Sequence, residues 1–373
     1  MQSSTSRIPY VNLQKQWLEE REELLPIIDK VFESAQFVGG DELDRFEENI
    51  AKLCGTKYAC GLNSGTDALM LALMLSGVKK GDEVITPPNS FIASTAAIIH
   101  IGAIPVFVDV LPDQNIDPYK IEASITEKTK AIMPVHLTGR MCDMDPIMAI
   151  AKKHGLVVIE DAAQSVGSKY KGKLSGSIGD VGCFSTHPLK NLNACGDGGF
   201  LTTNDEDIYN KSKSYRSHGM VNRNIVDHFG SVTRMDNLQA SILNYRLDRL
   251  EEVTKKRRNN AKFYIGNINN RDLFIPEEKE SEYNVYHTFV LQTKYRDKLK
   301  EFLSKNKIDT AIHYPVPIHL QPAAKKLGYI VGDFPVTEKQ SKEILTLPIN
   351  QYLSDNDLDR IINKINNFHT KFL

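Results

Sequence analysis

Cysteine is scarce in this chain, and its five copies cannot all pair. They are Cys54, Cys60, Cys142, Cys183 and Cys195, with no C-x-x-C spacing among them. That excludes a disulfide scaffold and predicts reduced thiols in a cytoplasmic protein. An excess of one charge is missing too: 46 Lys and Arg face 47 Asp and Glu. No field of the whole molecule would then grip nucleic acid or an anionic membrane, although a local pocket for a small anion is not excluded. The opening Met1–Tyr10 has no apolar stretch behind a basic start, which predicts no signal peptide. Long hydrophobic runs are also lacking. The longest uncharged stretch, Val84 to Val108, contains Pro87, Pro88, Asn89, Ser90, Gly102 and Pro105. A strand, a buried helix and a second strand explain it better than a membrane span. Three catalytic signatures are absent: H-E-x-x-H, G-x-S-x-G, and a G-x-G-x-x-G after the first strand. His313 and His319 have no third ligand nearby in sequence, so no metal site is expected.

What remains is ordinary globular composition, 41% hydrophobic and 25% charged, in 373 residues. That length predicts two domains and a core needing no metal or disulfide staple. Strands are predicted at Tyr58–Leu62, Glu83–Thr86, Pro105–Asp109, Ala131–His136, Val157–Asp161, Gly182–Thr186 and Gly199–Thr203. Helical stretches lie between them, as at Asp67–Ser76, Ser90–Ile101 and Met144–His154. This rhythm predicts an α/β fold: a large domain with a mostly parallel seven-stranded sheet covered by helices on both faces. From Met235 to Lys262 the pattern reads as one long amphipathic helix, with Leu238, Ile242, Leu243, Leu247 and Leu250 in a stripe. Beyond it, a strand at Tyr286–Thr293 and a helix at Tyr295–Asn306 suggest a smaller C-terminal α+β domain. The boundary is placed near residue 250, giving units 1–250 and 251–373.

Ligands of such sheets gather beyond the carboxyl ends of the strands. Three segments there carry chemistry. In Asn63-Ser64-Gly65-Thr66-Asp67-Ala68-Leu69 a strand runs through a tight turn into an apolar helix. Free N–H groups at that helix start suit a phosphate, although Ser, Thr and Asp are also ordinary helix caps. In Val157-Val158-Ile159-Glu160-Asp161-Ala162-Ala163-Gln164-Ser165 a buried strand ends in two acids. A carboxylate there can hold a cation or a protonated ring nitrogen, or simply cap a helix. In Phe184-Ser185-Thr186-His187-Pro188-Leu189-Lys190-Asn191, followed by Gly196-Asp197-Gly198-Gly199, a lysine sits between a strand and a glycine loop. Sheltered among neutral groups, such a lysine becomes a nucleophile toward a carbonyl, whereas most lysines are solvated surface residues. Together the three match what pyridoxal phosphate requires: a helix end for its phosphate, an acid for its ring nitrogen and a lysine for its aldehyde.

These segments, with Arg234-Met235-Asp236-Asn237-Leu238-Gln239-Ala240, His313-Tyr314-Pro315-Val316-Pro317-Ile318-His319-Leu320-Gln321 and Phe334-Pro335-Val336-Thr337-Glu338, resemble the DegT/DnrJ/EryC1/StrS family of pyridoxal-phosphate-dependent nucleotide-sugar aminotransferases. The resemblance runs in order from about residue 8 to residue 369. It implies fold type I, with pyridoxal 5'-phosphate as cofactor and pyridoxamine phosphate as the intermediate form. It implies that Lys190 bonds to the cofactor aldehyde and later moves a proton, and that Asp161 pairs with the ring nitrogen. Gln164 would reach the ring hydroxyl; Gly65, Thr66 and Ser185 would hold the phosphate; Phe91 would stack on the ring, unless it is plain core. His313, Tyr314 and His319 would wall a sugar pocket, or serve structure alone. The implied partners are L-glutamate, a nucleotide-linked keto sugar and a second subunit, with no nucleic acid or membrane.

Two departures stand out. Many members carry Asn-x-Arg before the Gln-Ala helix, and that Asn reaches the phosphate of the neighbouring subunit. Here Val232 occupies its place, in Ser231-Val232-Thr233-Arg234. The glycine loop carries Asp197 where many relatives carry Glu, which resembles members aminating sugar carbon 3. Rival readings are a dehydratase of the same family, a non-catalytic regulatory relative and a nicotinamide-dependent sugar oxidoreductase. The dehydratases carry His in place of the lysine; the complete Asp161, Gln164, Ser185 and Lys190 set counts against loss of catalysis; and the dinucleotide glycine fingerprint is missing.

Overall fold

The computed structural model describes residues 6–368, so the Met1–Tyr10 opening lies only partly within it. Seven strands form the central sheet, in the order Tyr58–Leu62, Gly199–Thr203, Val181–Ser185, Val157–Asp161, Thr129–Ile132, Glu83–Thr86 and Ile104–Phe107. Six of them run parallel. Only Gly199–Thr203 runs the other way, between two parallel strands. Its register puts Gly199 opposite both Leu62 and Ser185. The start of this strand is thereby pinned beside the carboxyl ends of its two neighbours.

Alternation along the strands explains how both faces are covered. Ile159, Val84 and Met133 enter one apolar cluster, beneath the helices Gly65–Leu75 and Ile92–His100. Their chain neighbours Val158, Ile85 and Ile132 enter another, beside the helix Met144–His154. Successive strand side chains point to opposite faces, so a strand covered on both sides must be apolar throughout. The uncharged 84–108 stretch is resolved in this way into strand, helix and strand. No helix among the described residues is long and apolar enough to cross a membrane.

Several boundaries differ from the sequence reading. The strand expected at Ala131–His136 ends at Ile132. Pro134 cannot donate to the ladder, and its carbonyl instead accepts the Asp161 N–H at 2.9 Å. The helix expected from Ser90 starts at Ile92, because Phe91 is an extended cap with ψ 147. The strand expected at Tyr286–Thr293 is confined to Phe289–Gln292, since Tyr286 has φ 47. A non-glycine residue in that region breaks a strand.

The single helix read over Met235–Lys262 is two helices, Asn237–Leu247 and Leu250–Asn267. The apolar stripe serves different cores. Ile242 packs with Leu24 of the helix Leu13–Ser34, while Leu243 and Leu250 join a cluster with Phe46 and Phe200. Ala261 and Tyr264 belong to yet another cluster, with Phe289, Leu299, Leu345 and Ile361. The turn at Asp248 and Arg249 redirects the chain between these cores. In the C-terminal part, Phe289–Gln292 pairs antiparallel with Ile344–Leu347, beside the helices Arg296–Lys305 and Asp355–Asn366. Ile8 reaches back into that cluster and bridges Ile308.

Candidate active site

A cavity of about 350 Å³ opens beyond the carboxyl ends of the sheet strands. Three strand ends deliver its wall. After Tyr58–Leu62 the chain turns into the helix Gly65–Leu75, whose N-cap Ser64 accepts the Asp67 N–H at 3.0 Å and donates to the Asp67 carboxylate at 2.7 Å. The N–H groups of Gly65 and Thr66 lie in the first turn, where no intrahelical acceptor exists. A Cβ on Gly65 would lie 2.8 Å from the Ser185 Cβ, and one on Gly199 would lie 2.4 Å from the Gly65 nitrogen. Glycine at both places lets the helix start press against the two neighbouring strands. Gly65, Thr66 and Ser185 all line the cavity.

The second strand end separates the two acids. Glu160 is fully buried on the side away from the cavity, where it accepts N–H groups of Gly176, Ile178 and Gly179 at 2.9, 2.8 and 2.7 Å. The His136 imidazole lies 2.8 Å from it through Nε2, while His136 Nδ1 accepts the Cys142 N–H. The proton of that ring therefore sits on Nε2 and is donated to Glu160. Burial pushes the Glu160 carboxyl up, but His136 and the backbone donors outweigh it and leave it below its ordinary value. Asp161 faces the cavity instead. Its carboxylate accepts the Ser94 hydroxyl at 2.6 Å and the Ala163 N–H at 3.2 Å. Burial holds its carboxyl above the ordinary value, against the pull of Ser94, Ala163 and Lys190. Neighbouring residues on one strand thus have opposite fates, because the pleat turns them to opposite sides.

The third strand end, Val181–Ser185, leads to the turn that carries Lys190, whose N–H bonds the His187 carbonyl at 2.8 Å. Desolvation pulls the Lys190 ammonium down to about 8, while Asp161 holds it up. No acid forms an ion pair with it among the described residues. A lysine in this state has a substantial neutral fraction near neutral pH and is ready to attack a carbonyl.

The remaining expected residues divide. Phe91 lines the cavity and is 55% exposed, so it is not plain core; its ring lies 5.8 Å from that of Tyr314. Gln164 lines the cavity and accepts the Thr138 N–H at 2.8 Å. Burial pushes the Tyr314 phenol up to about 12, and that of His313 pulls its imidazole down to about 4. Both residues line the cavity, with His313 Nδ1 3.0 Å from the Thr346 hydroxyl. His319 does not line it. It is buried 3.2 Å from Glu338 and packs edge-on to Phe334. Of the two roles left open for it, pocket wall or structure alone, these contacts with Glu338 and Phe334 match the second. Asp197 lines the cavity from the glycine loop. No group of three His, Cys, Asp or Glu side chains is arranged for a metal ion among the described residues.

Sequence reasoning missed Tyr10, Ser94, His287, Arg257 and Asn350, which also line the cavity. Ser94 left a faint signal, as part of a hydroxyl pair inside an otherwise apolar helix. The others come from distant parts of the chain and left none.

Comparison with known proteins agrees with this geometry. The model of the DegT/DnrJ/EryC1/StrS aminotransferase family matches residues 18–366. The chain belongs to that family. Among its relatives is a pleiotropic regulatory protein of Geobacillus stearothermophilus, 41% identical over 98% of this chain and 99% of the relative. A dTDP-3-amino-3,6-dideoxy-alpha-D-galactopyranose transaminase of Aneurinibacillus thermoaerophilus is 40% identical, covering 97% of this chain and 99% of its own. A UDP-N-acetyl-3-dehydro-alpha-D-glucosamine 3-aminotransferase of Acidithiobacillus ferrooxidans is 40% identical, covering 96% and 97%. Among solved members, Streptomyces venezuelae DesV in complex with a ketimine intermediate superposes with a TM-score of 0.95 at 36% identity, over 97% of this chain and 98% of DesV. NtdA of Bacillus subtilis, with bound cofactor PMP, gives 0.91 at 32% identity over 98% and 85%. The α/β architecture is the fold type I aminotransferase fold of these relatives.

Proposed function

We propose that this aminotransferase uses pyridoxal phosphate to move an amino group from L-glutamate to the keto carbon of a nucleotide-linked deoxysugar, at sugar carbon 3. One observation carries the reading. A desolvated lysine, a buried carboxylate and a helix start stripped of side-chain bulk meet in one cavity. The residues fit the cofactor on structural grounds. A Cβ on Gly65 would meet Ser185, so glycine brings the helix start against that strand end, and the first-turn N–H groups beside it suit a phosphate. Gly65, Thr66 and Ser185 would hold that phosphate, Asp161 the ring nitrogen, Gln164 the ring hydroxyl, and Phe91 the ring face. When bound, the cofactor supplies an electron sink for breaking bonds at the amine-bearing carbon.

The chain's own residues do the rest. Asp161, kept dry and oriented by Ser94, favours a cation beside it. Lys190 provides a neutral amine that takes a proton at Nζ and returns it. Tyr314 and His313 shape the outer wall, with His313 kept neutral by burial. The transaminase relatives that form 3-amino sugars support the substrate class and the carbon, and Asp197 in the glycine loop fits the same reading. The relative named a regulatory protein raises a non-catalytic reading. The complete Lys190 and Asp161 arrangement favours catalysis, and Lys190 also disfavours a dehydratase.

The same reading makes the protein a cytoplasmic homodimer with its site at the subunit boundary, and divides the chain into units 1–250 and 251–373. Exposed Leu18, Leu25 and Phe32 on the first helix, and Val221, Ile225 and Phe229 near the 220–226 hairpin, support a covered surface. The separate C-terminal apolar cluster supports the division. Purified protein incubated with L-glutamate and a panel of nucleotide-linked 3-keto sugars tests the function by mass spectrometry. An amino sugar with the nucleotide intact is expected; a panel without any amination, despite bound cofactor, overturns it.

A further inference from the structure

Five arginines are buried among the described residues: Arg140, Arg216, Arg246, Arg257 and Arg296. Four have a carboxylate partner. Arg140 pairs with Glu282 at 2.9 Å, Arg246 with Glu20 at 2.7 Å, Arg296 with Asp297 at 2.5 Å, and Arg216 with Glu47. Arg257 has none. It is also the one arginine of the five that lines the cavity. Its Nη1 donates to the carbonyls of Tyr286 and His287, both at 3.2 Å. Its Nε has no hydrogen-bond partner, and none is present for Nη2 among the described residues. The guanidinium is thus anchored through Nη1, with Nε buried and unpartnered, and Nη2 is the donor left for a ligand.

A buried charge without a counter-charge is strongly disfavoured, and natural proteins pair it or use it. Desolvation already pulls the Arg257 guanidinium down to about 10, with only the phenols of Tyr10 and Tyr352 opposing. The other cationic or titratable groups nearby, Lys190, His287 and His313, cannot neutralise it. Asp161 and Asp197 line the same cavity, but neither pairs with Arg257 among the described residues, which leaves the counter-charge to come from outside the chain.

We propose that Arg257 is the receptor for the α-carboxylate of the amino donor. This rests on the aminotransferase reading of the same site. The choice of anion follows from position. Arg257 and Lys190 line the main cavity and also share a small recess beside it, with Val11 and Asn350. An amino acid reacts at the carbon that bears its α-carboxylate, so that group stays one bond from the reacting centre. The diphosphate of a nucleotide sugar hangs from sugar carbon 1, several bonds from a keto carbon 3. The planar guanidinium of Arg257, with Nη2 unpartnered, matches a carboxylate. The neutral sugar ring of the acceptor has no charge to place there, so Arg257 separates the two substrates that take turns in one cavity.

The test uses the cofactor-loaded enzyme and glutarate, a dicarboxylate with no amine to react. Titration calorimetry should show glutarate binding to the wild type, weakened by salt. Arg257→Gln should weaken it by about 30-fold or more, as truncation of a buried charge pair does. Arg257→Lys should fall between, because it keeps the charge and loses the fork. Single-turnover kcat/KM for L-glutamate should drop in parallel, while KM for the keto sugar in the second half-reaction stays within about 3-fold of wild type, since it makes no charge contact there. Unchanged glutarate affinity in both variants overturns the proposal. So does loss of keto-sugar affinity with glutarate binding intact, which would make Arg257 a diphosphate receptor. If glutarate binding depends on Arg257 but no donor is ever transaminated, the receptor stands and the aminotransferase reading falls.

Discussion

Lys190 and Asp161 act on each other across the cavity, and their variants separate the two roles. Lys190→Ala should lower amination by on the order of 10³-fold or more, since one group both bonds the substrate carbonyl and moves a proton. Borohydride reduction should then fix no cofactor to the chain; a reducible adduct with near-normal turnover would show that another amine does the work. The pH dependence has a definite sign. The neutral Lys190 amine grows as pH rises through about 8. Cofactor uptake by cofactor-free protein should therefore accelerate with pH and level off above that value, as absorbance in stopped flow can follow. Asp161→Asn removes the group that holds Lys190 up, so the midpoint should move down. The same variant should keep the cofactor yet lose about 10²-fold or more in turnover, because an amide does not favour a protonated ring nitrogen. Ser94→Ala is a milder version. It removes the 2.6 Å bond to Asp161 and should cost about 10- to 100-fold in kcat/KM, in keeping with the roughly 1.5–3 kcal/mol usual for a bond to a charged group.

The loops between strands and helices hold these side chains still. Glu160 staples the 176–179 loop through three N–H groups and His136. Its folded carboxyl lies below the unfolded value. Its contribution to stability is thus present above the unfolded pKa of about 4.5 and lost as pH falls through the folded one. Glu160→Gln should lower the melting temperature at pH 7, and the difference from wild type should shrink in acid; equal melting curves at both pH values would contradict the staple. Gly65→Ala should weaken cofactor binding without unfolding the protein, because its Cβ meets Ser185 at 2.8 Å in the helix start itself. At this scale the strands and the helices over the sheet were legible, since apolar alternation and spacing are local. The break at Asp248–Arg249 was not, because nothing in a continuous amphipathic stripe says that its two halves pack on different cores. Glu160 and Asp161 were legible as a pair, while the structural role of Glu160 depended on a loop 16 to 19 residues further on.

At the scale of the molecule, the exposed apolar residues of the first helix and the 220–226 hairpin predict association. Light scattering at micromolar protein should give about twice the 42.0 kDa of one chain. A monomer with full activity would rule out a shared site. The amino-acid sequence by itself determined the α/β class, the order of the strands along the chain and the three segments that bear Gly65, Asp161 and Lys190. Those follow from periodicity, from turn residues and from motifs a few residues long. Only the tertiary structure decided that Gly199–Thr203 runs antiparallel in the sheet, that His319 lies against Glu338, and that Tyr10, Ser94, His287 and Arg257 line the cavity. The physical reason is separation along the chain: the cavity residues meet Lys190 only through packing of segments up to more than a hundred positions away, and a buried arginine shows its missing counter-charge only once every neighbour is in view.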